Sequence, residues 1–306
     1  MSIAEAAQGA VYDRGYRPYD GPRGRRGAAT FALYKASMRR ALGIRRSWRQ
    51  KVAPFTLLGV VTIPAIVNVG IGYVTRDRFL TERIKIITYH DYVGVSAALL
   101  LFVALVAPDV MCPDRRQHVL PLMFARPITG VDYVLAKFGA IATIVFAFSF
   151  LPQVVLFVGN MLVSDSALDY FTGHLAVLWQ VPVAVVLLAV YYAVVGLAIS
   201  SLTDRRIVAG ASVIGLFLIT SITSRIFVGE TQVNGVTRSN SGSPAALLNL
   251  LRMPLYLRDL VFLGHVDQGS PLSAVGNGGA LAIVVYLAVL LLGAVVLLSR
   301  YRWVER

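Results

Sequence analysis

Charge is scarce in this sequence. Only 15% of its 306 residues are Asp, Glu, Lys or Arg, against about 25% in an average soluble protein. The shortfall excludes an ordinary water-soluble globule, and 57% hydrophobic content with a mean hydropathy of +0.68 places the chain in the membrane class. Cysteine is nearly absent: the single Cys112 excludes an intrachain disulfide framework, and no CxxC or Cys/His spacing suits a metal. The first 27 residues are polar, with no apolar stretch that would make a cleavable signal peptide. Catalytic signatures are missing too. There is no HExxH, no GxSxG, no facing pair of carboxylates, and no GxxxxGK[ST] loop to hold ATP, so the chain is not expected to be an enzyme. No ionisable residue is read well inside any long apolar run, which argues against ion-coupled transport. His90, His118, His174 and His265 all fall at run ends or in loops, where a solvated structural role is the simpler reading.

What charge there is carries a strong sign. The net charge of +13 could signal nucleic acid, but the basic residues are packed into the first 51 positions and the short loops. That is a topological pattern, and no nucleic-acid partner is expected. Residues 1–27 form a basic tail or arm in which Tyr12, Tyr16 and Tyr19 alternate with Arg14, Arg17 and Arg23, and Gly and Pro preclude a regular helix. Residues 28–51 read as an interfacial amphipathic helix, with Phe31, Tyr34, Met38 and Leu42 at helical spacing and a break near Gly43. Trp48 follows as an aromatic-belt residue.

Residues 52–306 read as one six-span transmembrane domain. The spans are expected at Val52–Tyr73, Tyr92–Val110, Tyr133–Val163, Leu175–Leu202, Ile207–Val228 and Ala274–Leu298, each about 20 residues or longer as a bilayer requires. With both termini cytoplasmic, the inner segments hold 21 Lys plus Arg and the outer segments 8. The chain is therefore expected to be a multi-pass protein of the plasma (inner) membrane. Ser243–Gly264 is apolar and nearly long enough to span. However, Arg252, Arg258 and Asp259 would each cost about 2.5–3.5 kcal/mol at mid-membrane, and Pro254 is expected to interrupt it. It reads as one or two re-entrant or interfacial helices on the outer face. Pro64, Pro152 and Pro182 are expected to kink their spans, and Asn68 and Gln153 to bond neighbouring helices.

The most informative stretch is PDRRQHVLPLMFARPITGVDYVLAK, residues 113–137, between the second and third spans. A connector that only turned round could be a few small polar residues. This one carries Asp114, Arg115, Arg116, Arg126, Asp132 and Lys137 around an apolar set of Val119, Leu120, Leu122, Met123 and Phe124, the composition of a docking surface. The short inner loop with Arg205 and Arg206 reads chiefly as a topology anchor, with a second motor contact as the lesser reading.

This loop, with the tail YDRGYRPYDGPR, resembles the type-2 permease family of ABC transporters, and the excess of Arg over Lys is similar to members from high-GC bacteria. The resemblance covers nearly the whole chain: an N-terminal amphipathic helix, six spans, a coupling helix between spans two and three, and re-entrant helices outside between spans five and six. It implies an all-α integral membrane fold and a permease subunit of an exporter. ATP and Mg would be bound by separate P-loop ATPase subunits, and no cofactor by this chain. Asp114, Arg115 and Arg116 would open the coupling element, Leu120 and Leu122 would fill a groove on the ATPase, and Arg126 and Pro127 would end it. Tyr133 and Lys137 would begin the third span at the membrane surface.

The resemblance further implies a second permease chain, identical or not, and a pathway lined by spans two and five. Carried over, the wall residues are Val95, Leu99 and Phe102 with Ser212, Phe217, Thr220 and Thr223. A wall this apolar suits a lipid, a lipid-linked glycan or a drug-like compound. The competing reading is a non-transporting membrane anchor or sensor that recruits a soluble partner through the 113–137 loop. A lipid-modifying enzyme ranks last for want of a catalytic constellation.

Overall fold

In bilayer hydrocarbon a backbone must satisfy its own hydrogen bonds, so long apolar runs fold as helices. The structure, a computed structural model, describes residues 26–43, 48–75, 88–93, 96–120, 123, 128–229, 231–233, 236–238 and 243–305. Its helices are α1 (Arg26–Ala41), α2 (Trp48–Thr75), the single turn α3 (Tyr89–Tyr92), α4 (Ser96–Arg116), α5 (Gly130–Val163), α6 (Ala167–Gly173), α7 (Leu175–Ser200), α8 (Arg206–Val228), α9 (Met253–Leu263) and α10 (Gly278–Glu305). Two three-residue strands, Thr231–Val233 and Val236–Arg238, pair as an antiparallel hairpin, and Pro244–Leu248 forms a 3-10 turn. Six of the helices are long and apolar enough to cross a membrane, the plan of a multi-pass membrane protein. The basic arm lies outside the described residues except for Arg26 and Gly27, which open α1.

Several boundaries move from their expected places. The break expected near Gly43 is present, α1 ending in a turn where Gly43 takes φ 67, but α2 already starts at Trp48, four residues before the expected span. The second span does not stop at Val110. It continues through Pro113 to Arg116, because a proline inside a helix removes one hydrogen bond without forcing an end. The third span begins at Gly130 with a capping box. Thr129 Oγ1 accepts from the Asp132 N–H, and the Asp132 carboxylate accepts from the Thr129 N–H at 3.0 Å.

Pro254 does not interrupt the 243–264 segment; it sits in the first turn of α9, where its missing N–H costs nothing. The break falls instead at the turn around Asn249–Arg252. Tyr191 and Tyr192 of α7 donate to the carbonyls of Leu250 (3.0 Å) and Leu251 (3.4 Å), and Gln180 donates to Val261 (3.4 Å). On the other side Ser221 of α8 bonds Asn249, and Ser224 bonds the Ala245 carbonyl. Tyr191 lies about 24 Å along α7 from its start. The 243–263 segment therefore enters the bundle beside α8, turns at depth and returns antiparallel to α7, burying Met253, Tyr256 and Leu257. Neither half is long enough to cross by itself.

The bundle centres on α4, α5 and α7, while α2, α8 and α10 leave most of their apolar surface facing outward. Close approach between helices rests on small residues, as membrane packing favours. A Cβ on Gly196 of α7 would lie 2.5 Å from Val103 of α4. Pro108 deprives the Ala104 carbonyl of its usual helical donor, and that carbonyl faces Gly210 of α8, so near that a Cβ there would sit 2.8 Å away. This core contains three residues expected on a substrate wall. Leu99 and Phe102 are buried, Phe102 stacked on Phe148 at 4.1 Å, and Phe217 is sealed against Tyr192.

Candidate functional site

Lys137 and Tyr133 stand four residues apart on α5, hence on one face one above the other. That face meets the last turn of α4, and the two side chains converge on Asp114. Lys137 Nζ lies 2.6 Å from the Asp114 carboxylate and 2.9 Å from the Val110 carbonyl; the Tyr133 hydroxyl donates to the same carboxylate at 2.9 Å. The other carboxylate oxygen pairs with Arg40 of α1. Asp114 is fully sealed from solvent and Lys137 is 1% exposed. The Tyr133 ring packs on Tyr301 of α10 at 5.0 Å, and the Tyr301 hydroxyl meets the Met111 sulfur at 3.6 Å. One buried carboxylate thus gathers α1, α4 and α5, with α10 against the same ring.

A buried ion pair survives only when its remaining polar capacity is satisfied, and here the carboxylate has three partners. Removing one partner from such a cluster strands a charge at a cost of about 3–5 kcal/mol. Both ionisable groups lie within the long helices but near their ends, Asp114 in the last turn of α4 and Lys137 in the third turn of α5. Asp114, expected to open a docking element, faces inward instead, together with Tyr133 and Lys137 at the start of the third span. The reason is that α4 runs on past Val110 by nearly two turns, which carries Asp114 into the interior opposite α5.

The connector is held from both sides. Arg26 at the start of α1 reaches Asp132 at 2.7 Å and Thr129 at 2.9 Å, tying α1 to the capping box of α5, while Arg40 near its end reaches Asp114. Between them Tyr34 donates to Thr143 at 3.0 Å, and its ring lies 3.5 Å from where a Gly139 Cβ would be. α1 is a strut fixed at both flanks of the 117–129 connector.

Within the connector Leu120 is buried against the core, not presented outward as expected. Leu122, Arg126 and Pro127 lie outside the described residues, as does Val95. Arg115 is engaged within the chain, 3.0 Å from Asp204 and donating to the Ser201 carbonyl. Arg206 pairs with Asp109 at 2.6 Å. Arg116 and Arg205 remain exposed, on a crevice of about 960 Å³ that also has Asp204, Arg206, Ile207 and Val208 in its lining. Among the described residues expected to dock, Arg116 is the one placed outward. Arg205, read mainly as an anchor, joins it because the loop between α7 and α8 folds under the end of α4.

The expected wall residues that the structure describes do not share one exposed face. Leu99, Phe102 and Phe217 are internal. Ser212 is exposed on α8, Thr220 bonds back to the Leu216 and Phe217 carbonyls of its own helix, and Thr223 is half-buried. At the opposite end of α4 sits a second charge cluster that sequence reasoning costed only as a burden. His90 Nε2 lies 2.8 Å from Asp259, Arg258 contacts the same carboxylate at 2.7 and 3.0 Å, and Arg258 also donates to the carbonyls of His90 and Val93, both at 3.0 Å. The described residues form a helical bundle, six of its helices long and apolar enough to cross a membrane, with a buried ionic hub near one end of α4 and an ionic peg near the other. No protein-family model matches the chain, and no curated protein matches it.

Proposed function

We propose that the chain is the transmembrane permease subunit of an ATP-driven type-2 ABC exporter, moving a hydrophobic or amphipathic substrate with energy from a separate P-loop ATPase. The observation that carries this reading is the Asp114 hub beside a basic crevice. A partner seated on Arg116 and Arg205 would push on the end of α4, and the buried pairs to Arg40 and Lys137 would move α1, α4 and α5 as one body. Rigid linkage of that kind is what a membrane domain without its own energy source requires. Docking therefore falls to exposed Arg116 and Arg205, and transmission to Asp114, Lys137 and Tyr133.

In this reading α1 lies at the cytoplasmic interface, both termini are cytoplasmic, and the 243–263 segment is re-entrant from outside the plasma membrane. Two permease chains would assemble the pathway, with exposed Ser212 and half-buried Thr223 of α8 nearer to it than the internal Leu99, Phe102 or Phe217. The test is coupled turnover. Reversing Arg116 and Arg205 together to Glu should abolish ATPase association while leaving membrane insertion unchanged; undiminished association would remove the crevice from the mechanism. A cysteine placed at exposed Gly269 should be labelled from outside intact cells. Labelling only after permeabilisation would reverse the orientation.

A further inference from the structure

Gln153 of α5 lies ten residues before the helix end, about 15 Å in along the axis, at the depth of mid-bilayer. It is 2% exposed, and neither its Oε1 nor its Nε2 has a hydrogen-bond partner among the described residues. Ser149 Oγ, one turn away on the same face, has none either. Such orphaned groups are rare in folded proteins and call for a specific explanation. Gln153 lines a cavity of about 100 Å³ between α5 and α7, walled by Phe150, Phe157 and Val181. Leu178 and Pro182 line it too, and Pro182 lacks the N–H that an uninterrupted helix would give the Leu178 carbonyl. Val154 and Leu178 are 39% and 46% exposed on its rim, so the cavity opens sideways toward the surrounding hydrocarbon rather than along the bundle axis.

We propose that this cavity binds an uncharged amphiphile bearing a hydroxyl or amide on an apolar body. The side-chain amide offers one donor group and one acceptor, which a hydroxyl or an amide matches in both senses. No charged side chain lines the cavity, so an ionised headgroup would be desolvated without compensation. A plain hydrocarbon would fill the walls and leave the amide unpaired. The volume accommodates the polar group and a few carbons, with the remaining chain lying along the rim among lipids. The occupant is either a lipid alcohol of the bilayer or a free amphiphile that has partitioned into it. This site is distinct from the Asp114 hub and requires no ATPase.

The test uses the purified full chain in lipid nanodiscs, with a long-chain alcohol carrying a photoreactive diazirine and the matched diazirine hydrocarbon. The alcohol should label peptides covering 150–157 and 177–182 about tenfold more than the hydrocarbon. Gln153→Leu should remove that preference. Val177→Phe, which keeps the amide but fills the cavity, should remove the labelling itself, and a native size-exclusion profile confirms that each variant is folded. Solvent extraction and mass spectrometry separate the sources. A lipid alcohol retained by the unaltered chain and lost in Gln153→Leu identifies the bilayer, whereas no retained lipid but competition by added free alcohol identifies a diffusing ligand. Equal labelling by both probes, an alcohol preference that persists in Gln153→Leu, or no labelling at all, as for a cavity that holds only water, would each overturn the proposal.

Discussion

A buried carboxylate lies near each end of α4, Asp114 in its last turn and Asp259 of α9 beyond its start, and the two are wired differently. Asp114 is held entirely by side chains from other elements: Arg40 of α1, and Lys137 and Tyr133 of α5. Asp259 is held by its own neighbour Arg258 and by His90, while Arg258 spends its remaining donors on backbone carbonyls. The first cluster joins three helices, and every bond in it except that from Lys137 to the Val110 carbonyl is lost when the carboxylate is lost. The second pegs the short α9 to the α3 turn, and backbone acceptors persist whatever side chain is removed. The contrast separates a hub able to carry movement between helices from a peg that fixes one loop in place.

The largest effect should follow removal of the hub. Asp114→Ala strands Lys137 beside Arg40 and should lower stability by about 3–5 kcal/mol, read as unfolding in a detergent titration. Replacing the pair with Asp114→Leu and Lys137→Met should restore most of that loss, because a well-packed apolar pair substitutes for a buried ion pair; failure of the double variant to recover would mean that the hub is not an isolated pair-plus-partners unit. Asp259→Ala should cost less, about 2 kcal/mol, since Arg258 keeps the His90 and Val93 carbonyls. If it cost more than Asp114→Ala, the distinction between hub and peg would collapse. Arg26→Ala should cost at most about 1 kcal/mol, because its pair with Asp132 is largely solvated, while freeing the first turn of α1 to hydrogen exchange. The smallest stability change belongs to the paired reversal of Arg116 and Arg205, which should leave unfolding unchanged and act only on partner binding.

The six spans were legible because length and apolar content suffice to mark them, and Gly43 correctly announced the end of α1. Ser243-Pro244 marked a real helical start. What the sequence hid was the direction of side chains. A charge just outside an apolar run reads as exposed, yet Asp114 and Lys137 lie within helices that outrun their apolar stretches, and their opposite signs across a short connector were the available clue. Leu120 and Phe102 looked like surfaces because apolar residues carry no record of which neighbour covers them. Gln153 was expected to bond a facing helix, and no rule of spacing reveals that no described neighbour reaches its amide. The depth of the Asn249–Arg252 turn was equally hidden, since it depends on Tyr191 and Tyr192 from a distant helix.

The central claim is that a basic crevice receives an external motor and a buried hub transmits its movement. The most direct measurement is purification of the tagged chain in mild detergent, with mass spectrometry and an ATPase assay on the eluate, for the unaltered chain and the Arg116→Glu/Arg205→Glu variant. The account predicts a P-loop ATPase with the unaltered chain and its loss from the folded variant. A folded chain recovered alone in both cases would contradict it and leave a membrane anchor or sensor in its place.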